Sequence, residues 1–285
     1  MKHSVFTVLL PDKNVEEVFA LLSDLNYDGV ELRIKQDYHV PPEKILSSVD
    51  KLKDMMARHK LEIPVLATYL AITEQETIPQ VFEAADILGA KAVRVSLGPA
   101  LDGRQPYQTV RDKILKQLEA FVKSIQQFKA KALFEIHFKT LIASPSLAYL
   151  LLNSFDPENV GVIFDPANMI VEGKENWQLS VELLGDYLGH VHVKNASWQK
   201  EDKWVCNWDD LKSGIVDWES VIRALIKVNY EGYLSNENLK DVILPGATGF
   251  IGEQLSAGTD KPTKPIRTKL AEDLNYLKEL EKKLL

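Results

Sequence analysis

The chain has 285 residues, 45% of them apolar and 26% charged, with a formal net charge of −7 at pH 7. This length suits one barrel-sized domain, while the acidic balance argues against general affinity for nucleic acid, which needs concentrated Lys and Arg to meet phosphates. No stretch approaches the roughly 20 apolar residues of a membrane span, and the single cysteine, Cys206, excludes an internal disulfide and fits a reducing, cytoplasmic setting.

In chain order, the first apolar run, Ser4 to Leu10, meets Pro11-Asp12-Lys13 with no small-x-small cleavage site, so it reads as a buried strand and not a leader. Strands are predicted at Val5–Leu10, Gly29–Arg33, Ile63–Thr68, Ala92–Leu97, Ala132–Glu135, Val160–Phe164, His190–Val193 and Tyr233–Ser235. Several are nearly continuous apolar runs, as strands covered on both faces require. The segments between them carry helical periodicity. Val15, Val18, Phe19, Leu22 and Leu25 share one face, as do Ile114, Leu118, Phe121, Ile125 and Phe128. Val221, Leu225 and Val228 repeat the pattern, and a charged amphipathic helix with Leu270, Leu274, Leu277 and Leu280 closes the chain. Eight strands alternating with helices predict an α/β fold, a single (β/α)8 TIM barrel over residues 1–285, with an open doubly wound sheet as the alternative. The longest irregular stretches, Lys194–Val216 and Lys240–Pro265, follow late strands.

In such barrels the polar residues at the C-terminal strand ends face the mouth. Four successive strand ends deliver Glu135, Asp165, His192 and Glu237 to one rim. Crowded carboxylates repel, and a divalent cation relieves this by accepting all of them. Oxygen-rich ligation with one imidazole suits Mn2+, Mg2+ or Co2+, with Zn2+ also open. Singly, each residue has a structural reading: Glu135 as an ion-paired strand end, Asp165 as a helix cap before Pro166, Glu237 as a loop carboxylate. His190 and His192 point to the same face, so one can ligate while the other supports it.

The segments Gly29-Val30-Glu31-Leu32, Ala85-Asp86-Ile87-Leu88-Gly89-Ala90, Phe134-Glu135, Val160 to Asn168 and His190-Val191-His192-Val193-Lys194-Asn195 resemble the xylose isomerase-like barrels. The resemblance spans Gly29 to Glu237, and its most specific parts are Asp165-Pro166-Ala167-Asn168 and His190-Val191-His192-Val193-Lys194. It implies a metal held by Glu135, Asp165, His192 and Glu237. It also implies isomerisation or epimerisation of a sugar, sugar phosphate or related polyol, through proton removal beside a carbonyl and an enediolate. Glu135 and Glu237 are then the candidate catalytic base and acid. Ketose epimerases usually carry a substrate-binding His where this sequence has Asn168. The same chemistry with a leaving group on the next carbon gives a dehydratase or lyase on a cyclic polyol or keto acid, the principal alternative.

Rim candidates for substrate binding are Lys194, Arg94 and Arg33, with Asn168, His137, Trp198 and Arg267 behind them; the structural reading of each Arg is an ion pair inside the barrel, such as Glu31 with Arg33. Gly246-Ala247-Thr248-Gly249-Phe250-Ile251-Gly252 resembles a dinucleotide-binding glycine fingerprint, but too little chain follows for the required βαβ units, so a loop or a phosphate cradle is the expectation. An endonuclease IV-like nuclease would need more metals and histidines than this acidic chain offers. A barrel that binds a ligand without catalysis also stays open, and association into a homo-oligomer is possible.

Overall fold

The computed structural model describes residues 1–36, 38–98, 101, 103–172, 174–242 and 263–285. Eight parallel strands form a closed ring. They are β1 (Lys2–Phe6), β2 (Gly29–Ile34), β3 (Val65–Ala71), β4 (Ala92–Ser96), β5 (Lys131–Glu135), β6 (Val160–Phe164), β7 (Leu188–Val193) and, after an added hairpin of β8 (Asn195–Lys200) and β9 (Trp204–Asp209), β10 (Tyr233–Asn236). The ring closes where β1 pairs with β10, Lys2 opposite Tyr233 through Val5 opposite Asn236. This is the TIM barrel expected from alternating apolar runs and amphipathic segments.

The helices are α1 (Val15–Asp24), α2 (Ile45–His59), α3 (Ile78–Leu88), α4 (Tyr107–Ile125), α5 (Pro145–Leu152), α6 (Pro166–Glu172), α7 (Trp177–Leu184), α8 (Trp218–Lys227) and α9 (Ile266–Leu284). Local chemistry starts several of them. Asn14 and Glu17 form a reciprocal capping box on α1, and Ser144, Asn176 and Asp217 accept backbone N–H bonds at the starts of α5, α7 and α8. Their apolar faces, such as Leu118, Phe121 and Ile125 on α4, cover strands buried along their length, such as Val160–Phe164. No helix among the described residues is long and apolar enough to cross a membrane.

Gly161 and Gly189 sit where neighbours come closest. A Cβ on Gly161 would lie 2.7 Å from the Tyr187 carbonyl oxygen, and one on Gly189 would strike the Leu133 side chain. Leu133 belongs to a small apolar plug with Val65, Ala92 and Ile163, and the glycines leave it room.

Three elements depart from expectation. The first strand ends at Phe6, and Thr7–Leu9 curl into a 3-10 turn in which Leu10 N–H bonds the Thr7 carbonyl. Val8, Leu9 and Leu10 are buried there, so the apolar run outlasts the strand. The third strand starts at Val65, just after Pro64, whose nitrogen cannot donate to a ladder. Residues 195–209, expected to be irregular, pair as an antiparallel hairpin, with Asn195 opposite Asp209 and Lys200 opposite Trp204. The glycine-rich Gly246–Gly252 stretch lies outside the described residues.

Candidate metal centre at the barrel mouth

Glu135 is the last residue of β5, Asp165 directly follows β6, His192 lies within β7, and Glu237 directly follows β10. Their ligand atoms all lie within 4.8 Å of one another, and the four side chains are buried. His192 Nδ1 is 3.0 Å from Glu237 Oε2, 3.4 Å from Glu135 Oε1 and 3.7 Å from Asp165 Oδ2. Among the described residues it has no hydrogen-bond partner.

The other imidazole nitrogen explains that orientation. His192 Nε2 is 3.0 and 3.2 Å from the two carboxylate oxygens of Glu31 on β2. The same carboxylate accepts from Ser235 Oγ at 2.5 Å and meets His190 Nε2 at 3.1 Å. Burial disfavours the Glu31 charge, but His192 and His190 outweigh it and hold the carboxyl far below its usual range. An ionised Glu31 accepts a hydrogen bond from Nε2–H, so in the neutral imidazole Nδ1 carries the lone pair, aimed at three carboxylates. Four electron-pair donors facing one another fit a cation. Burial opposes protonation of His192, yet Glu31 and then Glu237 raise its pKa well above the ordinary value, so a proton and a metal ion compete for Nδ1.

The charge balance agrees. Glu31, Glu135, Asp165 and Glu237 are four buried carboxylates, and Arg94 and Lys194 are the permanent cations paired with this group, which leaves two negative charges for a divalent ion to offset. Lys194 Nζ lies 2.8 Å from both Asp165 Oδ2 and Glu237 Oε2, and these carboxylates keep it charged against the opposing effect of burial. Arg94 Nη2 meets Glu135 Oε2 at 2.5 Å. Burial would raise the Glu135 pKa, but Arg94, followed by His192 and Lys194, drives it well below the carboxylate norm.

Asn168 is wholly buried and binds the carboxylates directly. Its Nδ2 donates to Glu135 Oε1 at 3.0 Å, Asp165 Oδ2 at 3.0 Å and the Ile136 carbonyl at 3.1 Å. Its backbone N–H donates to Asp165 Oδ1, so Asp165 caps α6 and faces the cluster at once. Of the remaining rim candidates, Arg33 is buried and stacks over Tyr38 and Tyr69, at 4.0 and 5.0 Å, without pairing with Glu31. His137 lies against the Phe138 ring, its Nδ1 2.8 Å from the Phe138 carbonyl. Trp198 donates to the Ile170 carbonyl, tying the β8–β9 hairpin to α6. Arg267 stands apart: it is 56% exposed and 3.5 Å from Asp24 of α1, because α9 carries it onto the outer helix layer. The sequence offers Glu31 only as an ion-pair partner of Arg33 and gives no reading of Tyr69 or Trp208. A carboxylate inside the apolar run Gly29–Ile34 was the available signal for Glu31, since a charge on a fully covered strand must have partners.

A closed parallel barrel whose strand ends gather a carboxylate–imidazole cluster defines a TIM barrel with a candidate metal site at its mouth. The chain belongs to the xylose isomerase-like TIM barrel family, whose model matches residues 19–280. Among solved structures, a D-allulose 3-epimerase from Methylomonas sp. superposes with a TM-score of 0.74 at 15% identity, covering 98% of each chain. The probable 3-DHS dehydratase involved in petrobactin synthesis from Bacillus anthracis gives 0.73 at 17% identity, covering 98% of this chain and 99% of that one. A xylose isomerase-like TIM barrel protein from Mycobacterium smegmatis, in complex with magnesium, gives 0.67 at 15%, covering 100% and 98%. No curated protein matches the chain in sequence.

Proposed function

We propose that the chain is a divalent-metal-dependent isomerase or epimerase of a sugar, sugar phosphate or related polyol. The observation that carries this reading is the unpartnered His192 Nδ1 facing three buried carboxylates within one coordination sphere. Glu135, Asp165, His192 and Glu237 would hold the ion, of which Mn2+, Mg2+, Co2+ and Zn2+ all suit the donors. When bound, the ion supplies Lewis acidity to a substrate carbonyl and its neighbouring hydroxyl.

The chain's residues account for the proton transfers. Glu135 and Glu237 approach the centre from opposite sides of Asp165 and His192 in the ring, with β6 and β7 between β5 and β10. The carboxylate that enters ionised takes the proton from the carbon beside the carbonyl, and the other, which enters protonated, gives its own proton to the enediolate, so one turnover exchanges their protonation states. Arg94 beside Glu135 and Lys194 beside Glu237 favour the ionised form of each carboxylate, so either can start as the base. Trp208 covers Lys194, with Nζ 5.0 Å from the ring centre, and so limits water at that side. The fold likeness to D-allulose 3-epimerase accords with this reading.

A dehydratase is the second reading. Asn168 binds Glu135 and Asp165 where ketose epimerases usually offer a substrate His, and a structural relative is described as a probable dehydratase. Incubation of the Mn2+-loaded protein with a panel of ketoses and cyclic polyols in D2O, followed by NMR, separates the two. Deuterium gained beside the carbonyl with the skeleton intact supports the first, and loss of water with a new double bond supports the second. Absence of both, with no divalent ion bound, refutes the proposal.

A further inference from the structure

Arg33 is a buried cation that the proposed chemistry leaves unused. It lies on β2 two residues after Glu31, so its side chain shares the inward face one layer nearer the mouth. It is 9% exposed, and among the described residues its Nε has no hydrogen-bond partner and no carboxylate pairs with it. Its guanidinium is sandwiched between Tyr38 and Tyr69, and the Tyr69 ring is shared with Arg94 at 4.8 Å and Lys35 at 5.5 Å. Arg94 also keeps one unpartnered nitrogen, Nη1, while its Nη2 reaches Glu135.

A buried charge is tolerated only with a counter-charge, and two guanidiniums on one ring repel. An arginine also matches the planar or tetrahedral face of an oxyanion with paired N–H donors. We infer that Arg33, backed by Arg94 and Lys35 around Tyr69, binds an anionic group of the substrate, a carboxylate or a phosphate monoester, at the mouth beside the metal cluster. This rests on the reading of the mouth as a substrate site and narrows the substrate class to acidic polyols. The reacting carbons then lie toward Glu135 and Glu237 and the anion toward β2 and β3, so that neutral sugars are poor ligands.

The test uses the full chain, as purified and again after EDTA dialysis, with D-gluconate, D-fructose 6-phosphate and neutral D-fructose as probes. Calorimetric titration and thermal shift are read on the wild type, Arg33→Met and Arg33→Lys. The expected result is that one or both anionic probes bind and raise the melting temperature, that D-fructose binds at least about tenfold more weakly, and that Arg33→Met loses about tenfold or more of the anion affinity while Arg33→Lys retains part of it. Gluconate alone binding identifies a carboxylate, and the phosphate ester alone a phosphate. In probe-free buffer Arg33→Met melts at or above the wild type, because an uncompensated buried charge has been removed. Equal responses of wild type and Arg33→Met to the anions overturn the inference, as does failure of both anions to bind better than D-fructose. Anion binding that survives EDTA without any divalent-ion affinity would sink the metal reading and leave this one standing.

Discussion

Glu31→Gln tests the architecture at its centre. The substitution keeps shape and volume but removes the charge on which Ser235, His190 and His192 converge. Hydrogen bonds to a charged group contribute roughly 1.5–3 kcal/mol each and neutral ones about 1 kcal/mol. Converting three of them at a fully buried position therefore costs about 2–4 kcal/mol. That is a large share of an ordinary stability of roughly 5–15 kcal/mol, so the variant still folds. The amide keeps only one neutral acceptor oxygen for His192, Ser235 and His190 and so fixes the His192 tautomer less firmly, and disruption of such outer contacts lowers metal affinity by about 10–100-fold. Urea unfolding at pH 8 measures the first effect, and Mn2+ titration against a competing chelator measures the second. If Glu31→Gln changes stability by under about 0.5 kcal/mol, the size of an ordinary surface substitution, and leaves Mn2+ binding as in the wild type, the account of Glu31 as the anchor of His192 is wrong.

Asn168→Ala removes the donor shared by Glu135 and Asp165 and should cost about 1–3 kcal/mol and weaken Mn2+ binding about tenfold; unchanged binding in the same chelator assay argues against its positioning role. Gly161→Ala should destabilise by about 1–3 kcal/mol, because the new methyl meets the Tyr187 backbone oxygen, whereas Gly189→Ala meets only the Leu133 side chain and should couple favourably with Leu133→Ala in a double-mutant cycle. Additive effects for the second pair would refute that distinction. Burial drops the His39 pKa from 6.5 to about 4, only partly offset by its bond to the Leu10 carbonyl. A depressed pKa means stability that is complete above pH 6.5 and is lost as pH falls through 4, by roughly 3 kcal/mol for this shift. Denaturation of wild type and His39→Gln between pH 7.5 and 4 should show a shallower acid limb in the variant, and parallel curves would disprove the assignment.

The barrel was legible because its strands are covered on both faces, which leaves apolar runs such as Val160–Phe164 that few other contexts require. The polar residue ending each of four successive runs then had a fixed direction, which is why Glu135, Asp165, His192 and Glu237 could be gathered without coordinates. What escaped notice depends on contacts between residues distant in the chain. Glu31 joins His190 and His192 across the interior, a separation of about 160 positions that no local pattern reports. The β8–β9 hairpin lies inside the Lys194–Val216 stretch expected to be irregular, although the aromatic and β-branched content of Trp204-Val205-Cys206-Asn207-Trp208 and the short turn after Lys200 are hairpin signals. Arg267, a weaker substrate candidate by sequence, sits in the first turn of α9, which places it beside Asp24 on the outer helix layer.

The ring order also imposes a schedule on assembly. Glu237 rides on the strand that seals the circle, paired with both β1 and β7, whereas Glu135, Asp165 and His192 belong to strands laid down side by side before it. During synthesis a nascent chain would therefore hold three of the four clustered side chains open to solvent until the C-terminal part emerges. Under the proposed metal reading, ion capture and completion of the native topology become one late event, and a chain stalled short of residue 237 would lack both.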